Sequence, residues 1–353
     1  MIRRRQNGVA VVTALLLTTL AITIVASLFW QQQVQVRSIE NQRFQLQKKW
    51  VLRGALDWAR LILREDLRTS RDKVDHLGEP WAVTLGETHL DQYVENGKAD
   101  TDSSEASLSG QITDAQSRFN LNNLASAGVP NLTEIAMFSR LLANLRMDAS
   151  LAKSVALMVA ATQSKAVVQS APVGPNGALG ATTVPLQPTE VGVQQGSVAD
   201  AAGSSGNNAK SASIEANPEV QFLRFSQTDD LLVVSGFTPE MVFKLKDFVA
   251  VLPNKTSINL NTSPKEVLAA RLNIGPTDAA LIVAGRDRAY FYGLPDFKTR
   301  FPGKIGAYEN DISFSTNYFF VNGKVKLSRS ALEVNALLER TDVATKVLWV
   351  REN

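Results

Sequence analysis

The side chains best suited to catalysis or metal binding are scarce in this sequence. Its 353 residues hold two histidines, His76 in VDHLGEP and His89 in ETHLD, and no cysteine. Imidazole supplies proton shuttles and metal ligands, and thiolate supplies nucleophiles and soft ligands, so chemistry of either kind has little to draw on. Disulfides are excluded, which fits either side of a membrane. Each histidine sits in a polar loop beside acids, a setting that reads as solvated surface rather than ligation. No dinucleotide-binding Gly-x-Gly-x-x-Gly, P-loop, Gly-x-Ser-x-Gly or His-Glu-x-x-His pattern occurs. An Asp/Glu-based site remains open. The clusters Asp100/Asp102/Glu105 and Glu309/Asp311 read as solvent-facing, and Asn259 with Asn261, ahead of Pro264, reads as a turn and helix cap. The expectation is a protein that is not an enzyme.

The elements that would carry these residues begin with the N-terminus. Val9 to Trp30 has no charged residue, and Arg3, Arg4 and Arg5 precede it. About 20 apolar residues span a bilayer as a helix, and flanking arginines hold their own side in the cytoplasm. Those three arginines account for the whole formal charge of +3, so the remaining chain is neutral and offers nucleic acid no electrostatic footprint. A cleaved signal peptide would be followed by unrelated sequence. Here Gln31 to Arg68 has no proline and one glycine, Gly54, while apolar residues recur at helical spacing through Trp50, Leu52, Leu56, Ala59 and Leu67. One helix is therefore predicted to begin in the membrane and run on into solvent. A plain signal anchor on an unrelated domain is the competing reading.

Arg3-Arg4-Arg5-Gln6-Asn7-Gly8, followed by Val9 and an apolar helix, resembles the leader of a type IV pilin-like protein. The resemblance implies cleavage by a prepilin peptidase between Gly8 and Val9 and N-methylation of Val9. Most pilins have glutamate at the fifth mature position, where this chain has Thr13. Its absence there resembles the minor pseudopilin K family of type II secretion systems. Glu79-Pro80-Trp81-Ala82, Gly110-Gln111-Ile112-Thr113-Asp114, Arg118 to Leu124, Ile258 to Thr262 and Tyr318 to Val321 are similar to that family's landmarks, in order. The implied protein is a single-pass inner-membrane subunit with its bulk in the periplasm. It would stand at the tip of the pseudopilus with minor pseudopilins of the I and J types above the major pseudopilin, supporting export of folded proteins across the outer membrane.

The predicted fold class is α+β: a pilin-like fold with a long N-terminal transmembrane helix, an antiparallel sheet and a large inserted all-helical domain. Its parts are a leader at 1–8, a transmembrane segment at 9–30 and a periplasmic helix at 31–68. The sheet domain begins at 69–121, is interrupted by the insertion at 122–312, and is completed at 313–353. Trp81–Leu85 and Leu108–Thr113 read as strands. Leu124 to Val168, Asp230–Val234, Pro239–Leu252, Pro264–Leu272 and Thr277–Arg286 read as helical. Asn322-Gly323 reads as a type I′ hairpin turn, followed by a half-buried strand through Leu332, Val334, Ala336 and Leu338 with Val347–Val350 as its partner. The stretch 163–218, rich in Ala, Gly, Ser and Gln and without aromatics, reads as a flexible linker, with partner binding or a bare insertion as alternatives.

Two further resemblances bear on function. Residues 258–288 are similar to a helix-hairpin-helix, a binder of DNA backbone, which makes a periplasmic DNA-uptake protein the rival reading. The hairpin has Gly275 alone, with Pro276 where a donor amide would serve and Asp278 nearby, so structural packing is expected and no nucleic-acid partner. Pseudopilin K proteins also carry an acidic calcium loop in the insertion. Here Ala160-Ala161-Thr162-Gln163 stands in that place, and neither metal nor cofactor is expected.

Overall fold

A computed structural model describes residues 9–89, 106–163, 223–327 and 330–352. The leader 1–8 with Gly8, the acids Asp100, Asp102 and Glu105, and nearly all of the stretch 163–218 lie outside them. Val9–Thr69 forms one helix, α1, of 61 residues, about 90 Å long at 1.5 Å per residue. Nothing in its sequence breaks it, for proline is absent and Gly54 is the one glycine. Every residue from Val9 to Arg43 is exposed, whereas Lys48, Leu52, Ala59 and Leu63 are buried along one face of the later half. The helix is thus a bare stalk that becomes a packed element in its last six turns or so.

That buried face lies on a five-stranded antiparallel sheet of β1 (Leu85–His89), β2 (Ala106–Asp114), β3 (Tyr318–Leu327), β4 (Ser330–Arg340) and β5 (Thr345–Glu352), in that spatial order. Period-two alternation sends Phe319, Val321, Ala336 and Leu338 to the helix side, where they meet Ala59, Leu63 and Trp81. Tyr318 and Leu337 point to the other side and meet Ala115, Ala250 and Leu252 of the inserted segment. Both outer strands are irregular. The β1–β2 register shifts between Leu85 and Thr88, and the β4–β5 register shifts between Leu337 and Leu338. Each shift is a bulge that bends its edge strand.

The chain leaves the sheet after Asp114 and returns at Tyr318. Between them lie α2 (Leu132–Asn144), α3 (Leu151–Ala161), α4 (Pro239–Leu245), α5 (Lys265–Leu272), α6 (Pro276–Arg288) and α7 (Leu294–Arg300). Asn131 caps α2 by accepting from the amides of Thr133 and Glu134. Two cores result. The first joins α2, α3 and α4 around Phe138, Leu142, Val155 and Leu245, and the second joins α5, α6 and α7 around Leu268, Ile282 and Phe297. The α+β class and long apolar helix agree with expectation. Among its described residues the inserted segment also holds three two-residue ladders, one of them Phe119–Asn120 running parallel to Val249–Ala250.

Four local expectations are corrected. Asn322-Gly323 is not a hairpin turn but the middle of β3, opposite Asn335 and Val334 of β4 on one side and Gln111 and Gly110 of β2 on the other. Glycine serves packing at 110, where a Cβ would stand 3.1 Å from the Asn322 carbonyl oxygen; at 323 a Cβ would meet Leu52 of α1 only at an ordinary contact distance of 3.8 Å. Pro80–Ala82 is a 3-10 turn, with the strand starting at Leu85. Helix α4 ends at Leu245, because Val249 and Ala250 are drawn into the ladder with Phe119 and Asn120. Asn259 and Asn261 form the expected turn, the Asn259 carboxamide accepting from the Asn261 amide at 3.0 Å. They do not cap α5, whose N-terminal boundary is Pro264 with no side-chain cap.

Candidate functional site

The residues singled out from the sequence gather at the outer end of α1. Val9 opens the helix, and Thr13 lies one turn on, its hydroxyl donating to the carbonyls of Val9 and Ala10, each at 3.0 Å. Thr18, Thr19 and Thr23 donate likewise to Leu15, Leu16 and Leu20. In hydrocarbon an unpaired hydroxyl is costly, and a helix can satisfy it from the carbonyl one turn back. Each of the four threonine hydroxyls therefore needs no partner outside its own helix. This part of α1 has a mean hydropathy of 2.5 and none of it is buried within the protein. Phe29 and Trp30, both exposed, close the apolar run, where aromatic rings suit a membrane–water boundary.

At the other end of α1 stands a buried polar junction that sequence reading missed. Arg340, on β4, donates to Asp66 of α1 at 2.7 Å, to Asp75 in the following loop, and to the Thr316 carbonyl at 3.0 Å, and it lies over the Phe319 ring. Asp75 also accepts from the Thr316 amide at 2.6 Å. Next to it, one Glu79 oxygen accepts from the Trp81 indole at 2.7 Å and the His76 amide at 2.9 Å. Burial pushes Asp66 and Asp75 above the ordinary carboxylate range, with Arg340 pulling the other way. Burial pushes Glu79 up to about 7, opposed by the His76 amide and reinforced by Asp66.

A second hub lies behind the first. Asp114, at the end of β2, accepts from the Gln116 amide at 2.7 Å, the Asn259 carboxamide at 2.9 Å and the Thr262 hydroxyl at 2.5 Å. Asn259 also donates to the Asp75 carbonyl at 3.1 Å. Asn261 exchanges hydrogen bonds with the Phe291 backbone at 2.9 and 3.0 Å. Burial pushes Asp114 up to about 6, the Thr262 hydroxyl opposing. The segments Glu79–Ala82, Gly110–Asp114, Ile258–Thr262 and Tyr318–Val321 thus converge on the joint between helix, sheet and insertion. Asp114 and Asn259 join two of these segments across more than a hundred positions, a relation no local pattern encodes, whereas Glu79 takes its partners within three residues of itself.

This arrangement binds the protein to itself. Ligand oxygens of Asp66, Asp75 and Glu79 lie within 4.8 Å of one another, yet the Arg340 guanidinium already pairs two of the three acids. The place where the family's calcium loop would fall does not fit a hard cation. There Ala160 is buried, the Thr162 hydroxyl donates to Val159, and the Gln163 carboxamide is held by Ala125 and Gly128. Glu309 faces Lys298 at 2.6 Å, and Asp311 lies 3.7 Å from Arg271. The hairpin of α5 and α6, bent by 118°, turns two of its cations, Arg271 and Arg286, inward and leaves Lys265 and Arg288 exposed. Arg271 is fully buried against Glu134, and Arg286 donates to the Leu260 and Ser263 carbonyls. Neither is available to a phosphate backbone.

The chain is similar to known proteins in sequence and in fold. Two family models, both described as Type II secretion system (T2SS), protein K, match residues 117–254 and 258–313. The chain is 30% identical to the Type II secretion system protein K of Pseudomonas aeruginosa, over 98% of this chain and 92% of that protein. It is similar in fold to a chain in the crystal structure of the GspK–GspI–GspJ complex from the enterotoxigenic Escherichia coli Type 2 Secretion System. There the TM-score is 0.59 at 19% identity, covering 90% of this chain and 99% of that one.

Proposed function

The chain belongs to the type II secretion system protein K family, and from that premise we propose how it serves as a minor pseudopilin in secretion. Its role is structural, and the reading invokes neither catalysis nor a cofactor. The apolar first third of α1 anchors the subunit in the inner membrane by a single pass, with the sheet and insertion in the periplasm. A prepilin peptidase removes the leader after Gly8, leaving Val9 as the mature terminus. The subunit then joins minor pseudopilins of the I and J types at the tip of the pseudopilus, above the major pseudopilin. The observation that carries this reading is α1 itself, a single helix bare from Val9 to Arg43 and packed on its own sheet only beyond that point.

Copurification of the full-length chain from membranes with the I- and J-type pseudopilins of its own secretion system tests assembly, and a stable ternary complex is the expected result. Mass spectrometry of the membrane form tests processing. The mature chain is expected to begin at Val9, and Gly8→Leu is expected to retain the leader and abolish assembly. An intact Met1 terminus in the wild type, or a cut after Ala26, would overturn the processing scheme.

A further inference from the structure

Beyond the membrane, α1 presents a second exposed face. Leu46, Trp50, Gly54 and Leu61 recur at helical spacing on the side of α1 turned away from Leu52, Ala59 and Leu63. Trp50 is 69% and Leu61 50% exposed. Gly54 lies between them in mid-helix, where glycine weakens a helix. Nothing inside the protein accounts for it, since a Cβ built there meets no atom within 4 Å. A glycine that costs helix stability without any internal contact suits a close approach from outside, into a notch with Trp50 one turn before it and the half-exposed Trp58 one turn after it as walls, and Leu61 extending the apolar stripe by a further turn.

The charge beside this notch narrows the occupant. Arg53 and Arg64 are exposed alongside it, while the acid Asp57 is paired with Arg60 at 2.9 Å. A second copy of this chain, anchored parallel in the same membrane, would set Arg53 and Arg64 against themselves. A lipid surface is out of reach, because Gly54 stands about 36 Å beyond Trp30 at 1.5 Å per residue. We propose that the Trp50–Gly54–Trp58 notch receives a large apolar side chain from the helix of a different pseudopilin, whose flanking carboxylates meet Arg53 and Arg64. This rests on the assembly proposed above and adds which face of α1 selects the partner, and by what chemistry.

The test uses the full-length chain coexpressed in membranes with the I- and J-type pseudopilins of its own system. Gly54→Leu, which fills the notch, and Arg53→Glu/Arg64→Glu, which inverts its charge, should each lower partner recovery at least tenfold. Gly54→Ala should lower recovery less while its melting temperature stays level or rises, which separates lost docking from lost folding. Since the chain has no cysteine, a benzophenone on a single cysteine at Leu61 should crosslink to another pseudopilin. If the wild type recovers partners and all three variants recover them equally, the notch is not the docking face even though assembly stands. Crosslinking to a second copy of this chain, or to lipid, would also overturn the proposal. Failure of the wild type to recover any partner would instead sink the assembly reading itself.

Discussion

Glu79 is held in the folded protein with its proton affinity raised from an ordinary 4.5 to about 7, chiefly by burial. A carboxyl raised in this way favours the folded state while protonated in it, so the contribution is complete below pH 4.5 and is lost as pH rises through about 7. Asp114, raised to about 6, adds the same sign over a lower window. Stability should therefore fall from about pH 4 to about pH 7. Glu79→Gln, whose carboxamide oxygen can accept from both the Trp81 indole and the His76 amide, should flatten that slope by about 1 kcal/mol after allowance for solvent screening. Denaturant melts across the pH range would show it, and a variant with the wild-type slope would assign the effect elsewhere. At Thr13 the expectation is silence. Its hydroxyl is satisfied by Val9 and Ala10, so Thr13→Val should leave secretion of a reporter substrate within about twofold, the scale of a change under ~0.5 kcal/mol. Thr13→Glu should give no gain, because a lone carboxylate among apolar helices needs a cation, and the first subunit of a fibre has none above it. Abolished secretion by a processed Thr13→Val protein would refute a first position in the fibre.

Among elements, α1 was legible from sequence because its two signals are local: an uncharged run from Val9 to Trp30, then apolar spacing without a breaker. Strand β3 was misread because Asn-Gly carries turn chemistry wherever it stands, while its place in the sheet is set by pairing with β4 and with β2, a strand far off in sequence. Helix α7 was missed because LPDFKTR is too short to show a period, and it is fixed by Phe297 packing on Phe291. The junction was illegible for another reason. Asp66 and Arg340 are 274 positions apart, and nothing near either residue announces the other. Arg340→Met should cost about 3–5 kcal/mol, the loss found when one side of a buried ion pair is removed. Thermal melts of the periplasmic part would measure it, and a loss under ~1 kcal/mol, that of a surface pair, would show the junction to be solvated.

Over the whole molecule, the helix–sheet unit and the insertion keep their larger apolar cores apart and meet at two places, the small apolar contact of Tyr318 and Leu337 with Ala115, Ala250 and Leu252 and the polar joint of Asp75, Asp114 and Asn259. Asp114→Ala should orphan the Gln116 amide and the Asn259 and Thr262 donors together, at about 1–3 kcal/mol for each buried group left unpaired. Calorimetry should then resolve two transitions where the wild type shows one, and a single lowered peak would mean that the cores are coupled apolarly. The bulges on β1 and β5 have a consequence of another kind. A straight, unpaired strand edge is a template for adding strands from other chains, and a subunit crowded against copies of its kind is most exposed to that error. With Lys346 and Glu352 exposed along the bent β5 and both rims out of register, strand-by-strand stacking is disfavoured at either side of the sheet. The subunit can crowd at high local density while amyloid-like polymerisation, which would compete with ordered growth, stays suppressed.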